Sequence, residues 1–142
     1  MTINYFFTDN PNIIKQAYAL RKLVFVQEQQ VPEEMELDEF DATALHGVAQ
    51  MDGKVVGVLR LLVEGNKGHL GRLAVSKELR GQGIGQQLVI LTEAKAKELN
   101  LAEIYFHAQT HAMSFYEKLG YETRGEVFSE AGIEHIEMYK DL

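Results

Sequence analysis

The sequence predicts a mixed α/β (α+β) fold in which one central mixed sheet is flanked by helices. Three observations point to this fold: short apolar runs typical of strands, segments with apolar residues at helical spacing, and turn signals between them. The chain has 142 residues, and 46% of them are hydrophobic, which suffices for one core. No repeat or linker interrupts the pattern, so we expect a single domain over residues 1–142.

The N-terminal half is predicted to contain four strands and one helix. Residues 3–8 form the first strand, and Asn10-Pro11 is typical of a helix start with proline in the first turn. The helix is expected over about residues 11–27, and an acidic loop containing a helical turn follows it. The other strands are predicted at residues 45–51, 54–63 and 69–75. Asp52-Gly53 is a strong hairpin signal between two of them.

The C-terminal half is predicted to alternate helices and strands. A glycine-rich loop precedes a helix over about residues 84–100. A shorter helix over about residues 111–119 ends at Gly120, a residue suited to a left-handed helix C-cap. The remaining strands are predicted at residues 103–108, 121–127 and 133–140.

The glycine-rich loop is the most informative motif in the chain. Its sequence is Arg80-Gly81-Gln82-Gly83-Ile84-Gly85. Glycine lets the backbone approach a ligand closely, and the first amides of a helix lack partners and carry partial positive charge. A loop of this kind between a strand and a helix can hold a phosphate or pyrophosphate, and Arg80 adds a positive charge. The alternative is that the glycines merely join the two elements.

The glycine spacing distinguishes between the known phosphate-binding loops. The Rossmann pattern would require a glycine where Gln86 stands, and the P-loop tripeptide Gly-Lys-Ser/Thr does not occur. The remaining match is R-x-x-G-x-G, formed by Arg80, Gly83 and Gly85. This spacing resembles the Q/R-x-x-G-x-G/A signature of the GNAT superfamily of N-acetyltransferases, in which the loop amides receive the pyrophosphate of acetyl-CoA.

A second element supports the same resemblance. Phe115-Tyr116 followed by Gly120-Tyr121 is similar to the superfamily's short helix that carries Phe-Tyr and ends at Gly-Phe or Gly-Tyr. The superfamily usually has Asn seven residues before this tyrosine, and here that position is Gln109, which keeps the amide but lengthens its reach. The resemblance covers essentially the whole chain. The acidic segment of this chain, between Glu28 and Asp41, makes the resemblance nearest to the bacterial YjcF/ElaA-like branch.

The resemblance implies a GNAT-like acyl-CoA N-acyltransferase fold and transfer of an acetyl group from acetyl-CoA to a primary amine. The strand before the loop would bind the pantetheine arm through its backbone. Tyr116 would protonate the departing thiolate, or alternatively would only pack on the sheet. The residues that would contact acetyl-CoA are Leu73, Ala74, Val75, Arg80, Gly81, Gln82, Gly83, Ile84, Gly85, Gln109, Phe115 and Lys118.

The reaction also requires a neutral amine, and making an alkylammonium neutral near pH 7.4 costs about 4 kcal/mol. Histidine titrates in the useful range. His46 and His135 are the preferred candidates for the base because the YjcF/ElaA-like resemblance includes both. His69, His107 and the acidic segment are further candidates, and a chain of water molecules is an alternative.

Negative charge is concentrated in one segment. Seven of the 21 acidic residues lie between Glu28 and Asp41, and no Lys or Arg occurs from Val24 to Gly53. Such a run is either solvated surface or part of a site for a cationic amine. In the second interpretation, Glu28, Glu36 and Asp38 are the candidate substrate residues.

Composition excludes several other functions. The net charge of −7 argues against non-specific nucleic-acid binding, and the absence of cysteine excludes disulfides and thiolate nucleophiles. No H-x-x-x-H or H-E-x-x-H spacing predicts a metal site, and no G-x-S-x-G elbow predicts a serine hydrolase. Neither a signal peptide nor a membrane-spanning run is recognisable, so we expect a cytoplasmic protein without membrane contact.

Three functions remain open at this point. The first is an N-acetyltransferase for a small-molecule amine. The second is an N-acetyltransferase for a protein or peptide, and the third is a non-catalytic acyl-CoA-binding or sensory domain. A homodimer is compatible with the family resemblance, although no residue pattern defines an interface.

Overall fold

The computed structural model describes residues 2–142, and its centre is a seven-stranded mixed sheet. The strands lie in the order β1-β2-β3-β4-β5-β7-β6, and only the β4–β5 pair is parallel. Their bounds are β1 Ile3–Thr8, β2 Leu45–Met51, β3 Lys54–Glu64, β4 Lys67–Val75, β5 Glu103–Gln109, β6 Glu122–Glu130 and β7 Ile133–Asp141. The predicted mixed α/β fold is confirmed.

Four α-helices accompany the sheet: α1 Pro11–Arg21, α2 Glu33–Glu36, α3 Ile84–Glu98 and α4 Met113–Glu117. Helix α1 begins as predicted, because the Asn10 side chain accepts hydrogen bonds from the amides of Asn12 and Ile13. Short 3₁₀ turns lie at Glu39–Ala42, Lys77–Leu79 and Thr110–Ala112. The last of these takes the place of the first turn of the predicted helix 111–119.

The prediction of one continuous α-helix over residues 11–27 is wrong in its second half. After Arg21 the chain continues as a π-helix, Lys22–Glu28. Its wider turns are visible at the end, where the Gln29 amide donates to the Val24 carbonyl five residues back. Seven residues are too few for the hydrophobic spacing to distinguish this geometry from an α-helix.

The sheet opens between β4 and β5. These strands pair only near their starts, from Lys67 opposite Glu103 to His69 opposite Tyr105, and then diverge. The register of β4 against β3 also shifts here, where Arg72 adopts a positive φ of 55°. The result is a wedge-shaped opening whose two walls carry backbone groups without a strand partner.

Helices cover both faces of the sheet. On one face α1 and the π-helix pack on β2, β3 and β4, with Ala17, Leu20 and Val24 buried. On the other face α3 packs so closely that a Cβ on Gly57 would lie 2.9 Å from Leu88 Cδ1. Within residues 2–142, no helix combines the length and the apolar character needed to cross a bilayer.

The local turn chemistry agrees with the sequence. Asp52 and Gly53 have φ values of 51° and 78°, the positive values that a tight hairpin turn of this type requires. Gly120 has a φ of 93° in the turn that follows α4, as expected for a left-handed residue near a helix end.

Candidate active site

A cavity of ≈ 670 Å³ occupies the opening between β4 and β5. One side of it is formed by the segment after the π-helix, and the other by the start of β7. Four of the five histidines in the chain line it, namely His69, His107, His111 and His135. Leu73, Gln109 and Tyr116 line it as well. The cavity therefore brings together apolar side chains, titratable groups and a phenol.

The glycine-rich loop presents open backbone amides beside this region. Gly81 and Gly83 have φ values of 80° and 86°, and no atom lies within 4 Å of the position that a Cβ would take at either residue. Gly83 is the N-cap of α3 and has no side chain with which to cap it. Across residues 2–142, no hydrogen bond uses the amides of residues 81–86. These amides are available to an anion.

Arg80 is held by Glu28 at the mouth of this loop. Its Nη1 and Nη2 atoms donate to the Glu28 carboxylate at 2.9 Å each, and its Nε donates to the Val75 carbonyl at 3.1 Å. The hydrogen bond from Arg80 lowers the pKa of Glu28. Glu28 does not line the histidine-rich cavity, so its position argues against the predicted role as a substrate carboxylate.

The acidic segment is anchored by three arginines from elsewhere in the chain. Arg21 on α1 donates to Glu36 at 2.7 Å and to Asp41 at 2.6 Å, and all three side chains are buried. Arg60 on β3 holds Asp38 at 2.7 and 2.9 Å. We call Arg21, Arg60, Arg72, Glu36, Asp38 and Asp41 the ion cluster.

The ion cluster is balanced in charge, with three arginines and three carboxylates. Arg72 at the bulge of β4 completes it by donating to the Glu36 carbonyl at 2.9 Å. Burial alone would raise the pKa of Asp41, but hydrogen bonds from Arg21 and the Asp38 amide lower that pKa to about 2. Glu36 and Asp38, although they border the cavity, are therefore already paired, and neither is the free substrate carboxylate that the sequence suggested. The segment therefore combines exposed acids, namely Glu33, Glu34 and Glu39, with acids that are paired to arginines.

The two histidines predicted as bases occupy different environments. His46 is buried outside the cavity, with Nε2 2.9 Å from the Asp41 carbonyl and its ring edge-on to Tyr18. This contact ties β2 to the acidic segment, which indicates a structural role. The structure does not bring His46 together with Tyr116.

His135, in contrast, lines the cavity. Its Nδ1 lies 2.7 Å from the Ile133 carbonyl, which can only accept, so the neutral ring carries its proton on Nδ1. The lone pair of the neutral ring is then on Nε2, which lies 3.7 Å from Glu130 Oε2. This is the tautomer that a proton acceptor needs.

Tyr116 lies on α4 against the ring of Phe106, with the ring centroids 4.3 Å apart. Burial raises its pKa to about 12. Among the described residues, its hydroxyl forms no hydrogen bond, and Tyr116 borders the cavity. Phe115 packs next to it and approaches Gly85, where a Cβ would be 3.5 Å from the Phe115 ring.

The other predicted cofactor contacts are distributed along the opening. Leu73, Ala74 and Val75 lie at the end of β4, beyond the residues that pair with β5. The Gln109 side chain donates to Gln29 at 2.7 Å across the opening, and Lys118 is exposed after α4.

The sequence did not predict the carboxylates that reach the cavity histidines. Glu64 lies 3.2 Å from His69, and Glu130 lies 3.2 Å from His107. The available signal was the alternation of Tyr105, His107 and Gln109 on one face of β5. It could not identify the partners, because those come from the ends of β3 and β6.

Comparison with known proteins gives a consistent result. The sequence model of the acetyltransferase (GNAT) domain matches residues 14–142. The Bacillus subtilis N-acetyltransferase YjcF is 37% identical over 133 residues, covering 93% of this chain and 95% of the relative. Protein ElaA of Escherichia coli is 32% identical, covering 91% and 90%. A crystal structure of an acyl-CoA N-acyltransferase from Pseudomonas aeruginosa superposes with a TM-score of 0.89 at 30% identity, covering 98% of this chain and 99% of the other.

Proposed function

The chain belongs to the acetyltransferase (GNAT) family, and on that basis we propose that it transfers an acetyl group from acetyl-CoA to the primary amine of a small molecule. The family uses acetyl-CoA as its donor. The observation that carries the proposal is the set of free amides at residues 81–86 beside a cavity that contains both His135 and Tyr116.

Donor binding is assigned to the loop and to the opening of the sheet. The amides of residues 81–86 would bind the pyrophosphate through hydrogen bonds that the positive end of α3 strengthens. The pantetheine arm would lie along the unpaired part of β4, with Leu73, Ala74 and Val75 offering backbone groups to its amides. A backbone amide there would also polarise the thioester oxygen.

The chemical step requires two proton movements. As the amine nitrogen forms its bond to the carbonyl carbon, His135 Nε2 takes a proton from it, and the bond from carbon to sulfur breaks. Full transfer from a phenol of pKa about 12 to a thiolate near 8.5 would cost about 5 kcal/mol. Tyr116 therefore stabilises the leaving thiolate mainly by donating a hydrogen bond, while solvent supplies the final proton.

The dimensions of the cavity support a small acceptor. A volume of ≈ 670 Å³ is within the range of small-molecule sites and lies between the acidic segment and the start of β7. A lysine of a protein acceptor would have to extend its side chain into the same space.

The test is an acetyl-transfer screen of primary amines and lysine peptides, monitored by CoA release and by the mass of the product. We expect turnover with small amines, and we expect His135→Gln to lower kcat at least about a hundredfold with little change in KM for acetyl-CoA. The control is His111→Gln, a change at an exposed cavity histidine with no assigned proton role. CoA binding without turnover on any amine would favour a non-catalytic domain, and turnover on peptides alone would favour a protein acetyltransferase.

A further inference from the structure

A wall of aromatic rings borders the cavity, and all of its members except Phe128 line the cavity directly. It consists of His69 on β4, Tyr105 and His107 on β5, Phe128 on β6 and His135 on β7. His69 stacks on Tyr105 with the ring centroids 4.5 Å apart, and His69 and His107 are 5.3 Å apart. Phe128 links His107 to His135 at 5.1 and 5.9 Å. The rings form one continuous surface because these strands are neighbours in the sheet.

Two carboxylates are attached to this aromatic wall at different places. Glu64 lies at the narrow end of the opening, where it binds His69 Nδ1 at 3.2 Å and accepts a hydrogen bond from the Tyr105 hydroxyl. Glu130 lies toward the wide end, between His107 Nδ1 at 3.2 Å and His135 Nε2 at 3.7 Å. All of these groups line the cavity.

The two ends of the aromatic wall differ in charge. Burial lowers the pKa of His69, and burial together with Glu64 raises the pKa of Tyr105, so both rings are neutral at neutral pH and the Glu64 charge is uncompensated. At the other end, the hydrogen bond that His107 donates to Glu130 raises the pKa of His107, which favours an imidazolium that offsets Glu130. Since the ion cluster is balanced, Glu64 is the uncompensated charge of the cavity among these groups.

These positions suit an acceptor with two nitrogen atoms. We infer that the acceptor is an aliphatic diamine whose reacting amine lies at His135 and whose second ammonium is bound by Glu64. This inference rests on the proposed function. The end at Glu130, which His107 contacts at 3.2 Å and His135 at 3.7 Å, receives the amine that must lose its proton, and the end at Glu64 receives the ammonium that keeps its charge.

The surfaces between the two ends fit a hydrocarbon spacer. Methylene groups would lie on the rings of Tyr105 and His107, and Leu62, Met35 and Phe40 provide apolar surface elsewhere in the cavity. Across the described part of the chain, no group of three or more acidic, histidine or cysteine side chains is arranged to hold a metal ion.

The experiment compares putrescine with n-pentylamine, in which a methyl group replaces the second amine at the same chain length. We expect wild-type kcat/KM to be at least about tenfold higher for putrescine, which corresponds to one ammonium–carboxylate contact. We expect Glu64→Gln to reduce this ratio about tenfold. Glu122→Gln, which removes the same charge from an exposed position outside the cavity, should leave the ratio at the wild-type value.

The outcomes separate this inference from the proposed function. Equal kcat/KM for the two amines in the wild-type enzyme would overturn the diamine inference and leave the acetyltransferase proposal standing. No acetylation of any amine would overturn both. The wild-type comparison needs no variant, and it therefore decides the question even if Glu64→Gln does not fold.

Discussion

The substitution Gly83→Ala tests whether the conformation of the glycine-rich loop is what binds acetyl-CoA. Gly83 has a φ of 86°, and an added Cβ would meet no atom within 4 Å. Steric clash with neighbours is therefore excluded, and the only penalty is that of a left-handed backbone for an L-residue, about 1–2 kcal/mol. The exposed loop can avoid this penalty by relaxing, and we expect its amides to move as a result.

Relaxation of the loop should be visible in cofactor affinity. A hydrogen bond from a backbone amide to a charged phosphate contributes about 1.5–3 kcal/mol, so losing one should weaken CoA binding tenfold or more. We expect calorimetric titration of Gly83→Ala with CoA to show at least a tenfold higher Kd, with the thermal transition still cooperative.

Gly85→Ala is the matched control for this measurement. Gly85 has helical backbone geometry, its Cβ would make an ordinary 3.5 Å contact with Phe115, and the motif that the loop resembles accepts alanine at this position. We expect its Kd to stay within about threefold of wild type. Equal affinities for the two variants would refute the reasoning, because the positive φ at Gly83 would then not matter for binding.

Three further predictions concern single side chains. Tyr116→Phe should lower kcat at least about tenfold and change KM for acetyl-CoA less, as steady-state kinetics would reveal; the reverse pattern would make Tyr116 a binding residue only. Arg21→Met should destabilise the fold by about 3–5 kcal/mol in urea unfolding, because it leaves Glu36 and Asp41 buried without their partner, whereas Lys22→Met at an exposed pair should cost less than about 1 kcal/mol. Equal costs would contradict the account of the ion cluster. The pKa of Asp41 falls from 3.8 to about 2 on folding, so its stabilisation of about 2 kcal/mol is complete above about pH 4 and is lost as the pH falls toward 2; unfolding free energies that stay flat across that range would contradict it.

Local sequence signals predicted the secondary structure well. Asp52-Gly53, the glycine-rich loop and Gly120 each require a positive φ that few other residues tolerate, and all of them have it in the structure. The strand assignments agree to within a few residues because burial imposes a regular period along each strand. The π-helix at Lys22–Glu28 carries no comparable signal.

The ion cluster and the aromatic wall depend on contacts between distant residues. Arg21 lies 15 positions from Glu36 in the chain, and Arg72 lies 36 positions from it. Counting charges within the acidic segment therefore finds its carboxylates but not the arginines that pair with them. In the same way, His69 meets His107 only because β4 and β5 pair in parallel at their starts. Recognition of these sites required the strand order, which no local pattern contains.

The residues of the ion cluster that anchor the acidic segment are different from the apolar residues that the segment presents to the cavity. Charged pairs attach the segment to the rest of the fold, while the side chains of Met35 and Phe40 remain half exposed and take no part in those pairs. Substitution at these two positions can therefore alter which acceptors enter without loosening the attachment of the segment. Divergence in substrate range among descendants of this fold can proceed through such exposed apolar positions while the ionic anchors stay unchanged.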